Sequence, residues 1–231
     1  MALKFFGRGS GFANDHNSAY FCPTEKEIVI IDLPVSTFQK LKSRNLDNYD
    51  ELYVLITHTH GDHIGGLGLF VQYAFWTFRK TVTIIAPSNS VAKDISTLFV
   101  IEGIEPSWYD LIVPKQLDKP WIICALPTNH SYQLHRKCFG YLLKVNGEDV
   151  LYTGDTCTLE PFLSYLRKGF LLYVDTSVHY GMVHLKLDCA LPELIKLTKQ
   201  GVKVYLMHLD DIESAEEIIK DIPNISIVSV D

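Results

Sequence analysis

Residues 56–67 place His58, His60, Asp62 and His63 within six positions, directly behind the apolar run Leu52 to Thr57. That run is rich in β-forming residues and reads as a buried strand whose pleat carries on briefly past its end. In an extended segment His58 and His60, two apart, point the same way and can share one ion. Asp62 and His63 follow a glycine and can swing toward another. Neutral imidazoles with a carboxylate suit zinc, manganese or iron. A histidine cluster displayed on a surface has no reason to sit at the carboxyl end of a strand, whereas α/β proteins place their ligands there. The cluster therefore argues for an α/β chain with a metal centre at its strand ends.

Three later residues repeat the pattern. His130 follows Trp121 to Ala125, Asp155 follows Val150 to Tyr152, and His208 follows Val202 to Met207, so each is a ligand-type side chain behind a short apolar run. Taken singly, either histidine reads as capped or solvated, and an aspartate in Gly-Asp-Thr reads as a turn or helix-cap residue. Taken with the first cluster, they describe four strand ends converging on one place.

The string His58-Thr-His60-Gly-Asp62-His63-Ile-Gly-Gly66 resembles the signature of the metallo-β-lactamase superfamily, and the likeness extends through most of the 231 residues. The resemblance implies an α/β fold, a four-layer αββα sandwich with the metal centre at one edge of its two sheets. It assigns His58, His60 and His130 to one ion, Asp62, His63 and His208 to a second, and Asp155 to a bridge between them. Two divalent cations are implied, zinc first, with Mn2+ and Fe2+ as alternatives. Cations about 3.5–4 Å apart need anionic bridges, here Asp155 and a hydroxide. Metal binding lowers the pKa of water from about 15.7 to about 7, so the expected chemistry is hydrolysis by a metal-bridging hydroxide. No serine-hydrolase elbow is present. No cysteine matches a ligand position, which counts against antibiotic hydrolysis.

The opening, Leu3 to Tyr20, with Gly7, Gly9 and Gly11, resembles the amino-terminal strand, glycine-rich loop and second strand of the ribonuclease Z-like branch. The glycines suit close backbone approach to a site rim or a phosphate, and equally a tight strand connection. In that branch a histidine before the penultimate helix assists the leaving oxygen. His184 matches that position best, with His179 as its competitor and helix capping as the plainer use. Asp62 and His184 are thus the expected catalytic residues. The chain departs from tRNA-trimming enzymes in the 24 residues between His130 and Asp155, which leave no room for a tRNA-clamping arm. With 21 Lys plus Arg against 27 Asp plus Glu, a formal charge of −6 also disfavours a long polyanion. A phosphodiesterase acting on a cyclic nucleotide, a short oligonucleotide or a similar small phosphodiester is expected. The alternative is a thioester, ester or lactone hydrolase using the same hydroxide. A diiron redox protein would carry Glu where His60 stands.

Residues 67–78 are helix-length and hold Phe70, Tyr73, Phe75, Trp76 and Phe78, more aromatics than one buried stripe accommodates. They are expected either to be core throughout or to leave a surplus that faces a substrate pocket or a homodimer contact. Helices are also expected at Ser88 to Ile101, Glu160 to Lys168, Asp188 to Gln200 and Ile212 to Lys220. Asp32, ending the strand Glu27 to Asp32, is either a turn residue or a partner that orients a liganding histidine. With 47% hydrophobic residues and ligands spread from His58 to His208, one domain over 1–231 is expected. The five cysteines form no C-x-x-C pair and read as free buried thiols. No charged-then-apolar leader and no long apolar run is visible, so a cytoplasmic protein that does not engage the membrane is expected.

Overall fold

The computed structural model describes residues 1–231. Twelve strands run in chain order: β1 (Lys4–Gly7), β2 (Ser18–Phe21), β3 (Glu27–Ile31), β4 (Glu51–Leu55), β5 (Val82–Ile85), β6 (Tyr109–Ile112), β7 (Ile122–Pro127), β8 (Phe139–Val145), β9 (Glu148–Tyr152), β10 (Leu171–Asp175), β11 (Lys203–Met207) and β12 (Ile225–Ile227). Seven helices join them: α1 (Val35–Leu41), α2 (Gly61–Ile64), α3 (Leu67–Phe78), α4 (Asn89–Glu102), α5 (Glu160–Leu163), α6 (Leu187–Lys199) and α7 (Ile212–Ile219). They form two six-stranded sheets, ordered β1-β2-β3-β4-β5-β6 and β12-β11-β10-β9-β8-β7.

Side-chain alternation explains why these strands read as nearly unbroken apolar runs. In β4, Leu52 and Val54 face the helix layer of α1, α3 and α4, while Tyr53 and Leu55 face the other sheet. In β10, Leu172 and Val174 face the helices α5 to α7, while Leu171 and Tyr173 turn inward between the sheets. Both faces are buried, so the period-2 signal of a half-exposed strand disappears. The result is three apolar layers between four layers of structure, the αββα sandwich expected.

The two sheets repeat one pattern. In each, the first three strands pair antiparallel and the remaining neighbours pair parallel, so β1 to β6 and β7 to β12 have the same topology. The repeat is invisible in the residues because burial on both faces constrains hydropathy and leaves identity free.

Local signals set most boundaries. Ser88 accepts a hydrogen bond from the Val91 amide at the start of α4, and Gly103, at φ 69°, ends it. Asn146 and Gly147, at φ 51° and 83°, form the tight turn between β8 and β9, so the interval before Asp155 is a plain hairpin. The helix expected over Glu160 to Lys168 is confined to α5, because the amides of Tyr165 and Leu166 bond three residues back and tighten the chain into turns.

Two expectations are corrected. The surplus aromatics of α3 do not line the cavity that holds Asp62 and His208: Phe70 is core, and Phe75 and Trp76 pack on Trp108. Of the five free cysteines only Cys138 is buried, and Cys189 is exposed because it lies on the outward stripe of α6. No helix is long and apolar enough to cross a membrane.

Candidate metal centre

The parallel strands of both sheets point their carboxyl ends to one edge, and the ligand-type residues gather there. His58 and His60 lie on the segment leaving β4, and Asp62 and His63 on α2, whose helical turn brings both toward the second sheet. His130 follows β7, Asp155 follows β9 and His208 follows β11. One nitrogen each from His58, His60 and His130 lie within 4.8 Å of one another, as do ligand atoms of Asp62, His63, Asp155 and His208. The first set is the trio expected for one ion and the second is the group expected for the other. Asp155 stands between them, its Oδ2 3.8 Å from His58 Nε2, 3.6 Å from His130 Nε2, 3.4 Å from His63 Nε2 and 3.5 Å from His208 Nε2.

The donor set fits divalent cations. His58 Nε2 and His60 Nδ1 are 3.0 Å apart, and His130 Nε2 is 3.2 Å from the same His60 nitrogen, a convergence of ring nitrogens that a cation between them would explain. His63 Nε2 is buried without a hydrogen-bond partner. The outer nitrogens of His63 and His130, by contrast, are hydrogen-bonded, and that of His208 has a carboxylate close by without a formed hydrogen bond. His63 Nδ1 donates to Asp32 Oδ2 at 2.8 Å, His130 Nδ1 donates to the Val183 carbonyl at 2.7 Å, and His208 Nδ1 lies 3.3 Å from Asp175 Oδ1. Such outer partners fix the tautomer that leaves the inner nitrogen free to bind metal.

Electrostatics agree with this arrangement. Burial, followed by the charge of neighbouring histidines, pushes the His58 and His60 imidazoles down toward the neutral ligand form. Burial alone would raise the carboxyls of Asp62 and Asp155, but the surrounding histidines outweigh it and hold both well below the usual range, hence ionised. Burial likewise opposes charge on His208, yet Asp155, Asp175 and Asp62 raise it to about 10, and Asp155 and Asp32 raise His63 in the same way. A metal-free site thus stores protons where it would hold cations.

Asp32 is the orienting partner rather than a turn residue: besides His63 it accepts from the Thr57 amide at 2.8 Å and the Thr57 hydroxyl at 2.7 Å. His184 stands beside the centre, its ring centroid 5.0 Å from that of His130 and 4.9 Å from that of His208. His179 does not, since its Nε2 is drawn off by Asp211 at 3.1 Å. Asp175 is the residue that sequence reasoning missed. Its Oδ2 accepts from His184 Nδ1 at 2.9 Å and from the Thr156 amide at 2.9 Å. The signal that finds it is the one that found the others, a ligand-type side chain ending an apolar strand. The glycine-rich loop lies at the site rim: a Cβ on Gly11 would come 2.9 Å from Asp62 Oδ2, so only glycine lets the backbone lie so close.

An αββα sandwich with this donor set at its sheet edge places the chain among the metal-dependent hydrolases of the metallo-β-lactamase fold. The solved structure of the metallo-β-lactamase fold protein YhfI from Bacillus subtilis superposes with a TM-score of 0.76 at 17% identity, covering 99% of this chain and 95% of that one. A UPF0173 metal-dependent hydrolase of Pyrococcus furiosus is 26% identical over 149 residues, which is 61% of this chain and 59% of that protein. Within this class the chain belongs to the family described as anti-Pycsar protein Apyc1, whose family model matches residues 1–228. One relative of that description, from Bacillus phage 010DV004, is 27% identical over 237 residues, covering 91% of this chain and 90% of its own length.

Proposed function

We propose that this protein is a dinuclear metal phosphodiesterase acting on a small phosphodiester, a cyclic nucleotide in the first instance, with zinc as the native ion. The observation that carries the reading is His184. It stands against the donor cluster at the cavity wall, its Nδ1 3.9 Å from Asp155 Oδ2 and 2.9 Å from the buried Asp175. Burial would lower its pKa, but the charge of Asp175 and their hydrogen bond outweigh it and raise the imidazole above its ordinary value, toward the imidazolium form. A cation there stabilises charge developing on phosphoryl oxygens and can donate its proton to a leaving alkoxide. Thioester and lactone cleavage has less need of it.

Bound ions would supply an ionised water at neutral pH and neutralise the phosphate. His58, His60 and His130 would hold one, Asp62, His63 and His208 the other, and Asp155 would touch both. The chain's own residues do the remainder. Asp32 and Val183 keep histidine rings aimed inward, and Asp175 fixes the His184 ring while leaving its second nitrogen toward the substrate. The cavity of about 650 Å3 suits a nucleotide-sized ligand. The plain β8–β9 hairpin and the formal charge of −6 speak for a small substrate rather than a folded RNA.

The test is metal analysis followed by a panel of bis-p-nitrophenyl phosphate, cyclic nucleotides, thioesters and lactones, with wild type beside His184→Ala. The expected result is phosphodiester cleavage by wild type and a loss on the order of 10²–10⁴-fold in the variant with its metal retained. Cleavage of thioesters or lactones alone, indifferent to His184→Ala, would overturn the proposal.

A further inference from the structure

Three large apolar side chains ring the mouth of the catalytic cavity and are left to solvent: Phe12 is 100% exposed, Met182 92% and Tyr180 64%. Isolated exposed apolar residues are ordinary, but these three border one cavity whose floor is Asp62, His184 and His208. They come from two loops. Phe12 follows Gly11, whose backbone lies against Asp62, and Tyr180 and Met182 stand on the segment that leads to His184.

Both loops are tied at their bases to the same short stretch behind β11. The Ser10 amide donates to the Leu209 carbonyl at 2.9 Å, and the Leu209 amide to the Arg8 carbonyl at 2.8 Å. On the other side Asp210 accepts from the Ser177 hydroxyl at 2.6 Å, the Val178 amide at 2.8 Å and the His179 amide at 3.0 Å. The Tyr180 amide in turn donates to Ser177 Oγ at 2.6 Å. The exposed rings are therefore carried on anchored backbone, which reduces the ordering cost of binding. A polar floor under an apolar, aromatic rim matches a ligand with one anionic end and one flat unsaturated end.

The geometry points to Phe12, Tyr180 and Met182 as a ring-gripping subsite that binds the nucleobase of a nucleotide by its faces while the phosphate reaches the metal centre. This deepens the proposed phosphodiesterase reading and rests on it for the placement of the phosphate. Stacking on Phe12 and Tyr180, with sulfur contact from Met182, uses the π-face that every base offers.

The experiment measures binding, so that it stands apart from turnover. Calorimetric affinities of adenosine 5′-monophosphate and ribose 5-phosphate are compared on the metal-loaded protein, for wild type, the Phe12→Ala/Tyr180→Ala double variant and Phe12→Trp. Wild type is expected to prefer the nucleotide; the double variant should weaken it roughly tenfold or more while ribose 5-phosphate stays within about twofold, and Phe12→Trp should retain the preference. Metal content and circular dichroism show that each variant is folded and loaded. Equal affinity of wild type for the two ligands, including no measurable affinity for either, overturns the subsite, as does a double variant that binds the nucleotide as wild type does or loses both ligands alike. A nucleotide preference that survives in a protein cleaving no phosphodiester would sink the proposed activity and leave the subsite standing.

Discussion

Five histidine side chains, His58, His63, His130, His184 and His208, each bring a nitrogen within 3.4–3.9 Å of the single carboxylate oxygen Asp155 Oδ2. That oxygen is the point on which the donor atoms of both expected ion positions converge. Asp155→Ala is therefore expected to lose at least one ion per chain by metal analysis and nearly all hydrolytic turnover. The protonation pattern gives an independent check. In the metal-free site His208 lies at about 10 and so carries a proton at pH 7, His63 is raised in the same direction, and cation binding must displace such protons. Titrating the metal-free protein with zinc in weakly buffered solution should acidify it, and less so as the starting pH rises toward 10. The seven residues expected as ligands, which the fold brings together, stand out in the sequence because each ends or closely follows an apolar run. Asp175 carries the same signal, an acidic side chain ending an apolar strand, but its neighbours Thr176 and Ser177 also suit a turn, so the signal alone assigns it no role. Its role depends on His184 and His208, which only the folded sheet brings to it.

The helices illustrate how far periodicity reaches. α4, expected over Ser88 to Ile101, runs from Asn89 to Glu102, and its buried stripe of Val91, Ile95 and Phe99 has helical spacing. Removing the Phe99 side chain should cost about 3–5 kcal/mol in denaturant unfolding, whereas Val100→Ala on the outward side should change stability by about 0.5 kcal/mol or less. α3 shows the limit. Its length was plain, but an excess of aromatics says only that some lie outside the core stripe, and the direction they face is set by Trp108, far along the chain. The short strand β6 was missed for a related reason: Tyr109 to Ile112 carries a charge at Asp110 and gains its strand character by pairing with β5.

At the scale of the molecule, the centre draws His58, His60, Asp62 and His63 from the first sheet's half and His130, Asp155, His184 and His208 from the second's. Bound ions would therefore clamp the two sheets together across their shared edge. Chelation should lower the melting temperature by roughly 5–10 °C, the shift that about 2.7 kcal/mol of binding linkage produces in a chain of this size, and added zinc should restore it. The αββα architecture was legible through the resemblance carried by the His58 to Gly66 string. The duplication was not, since the two halves share topology and little else. That duplication has a practical corollary. The two half-molecules share the apolar layer between their sheets, the chain passes from one to the other around Lys115 and Gln116, both exposed, and each half owns an incomplete set of donors. A polypeptide severed there is expected to reassemble more readily when divalent ions are supplied, because each ion would draw donors from both pieces.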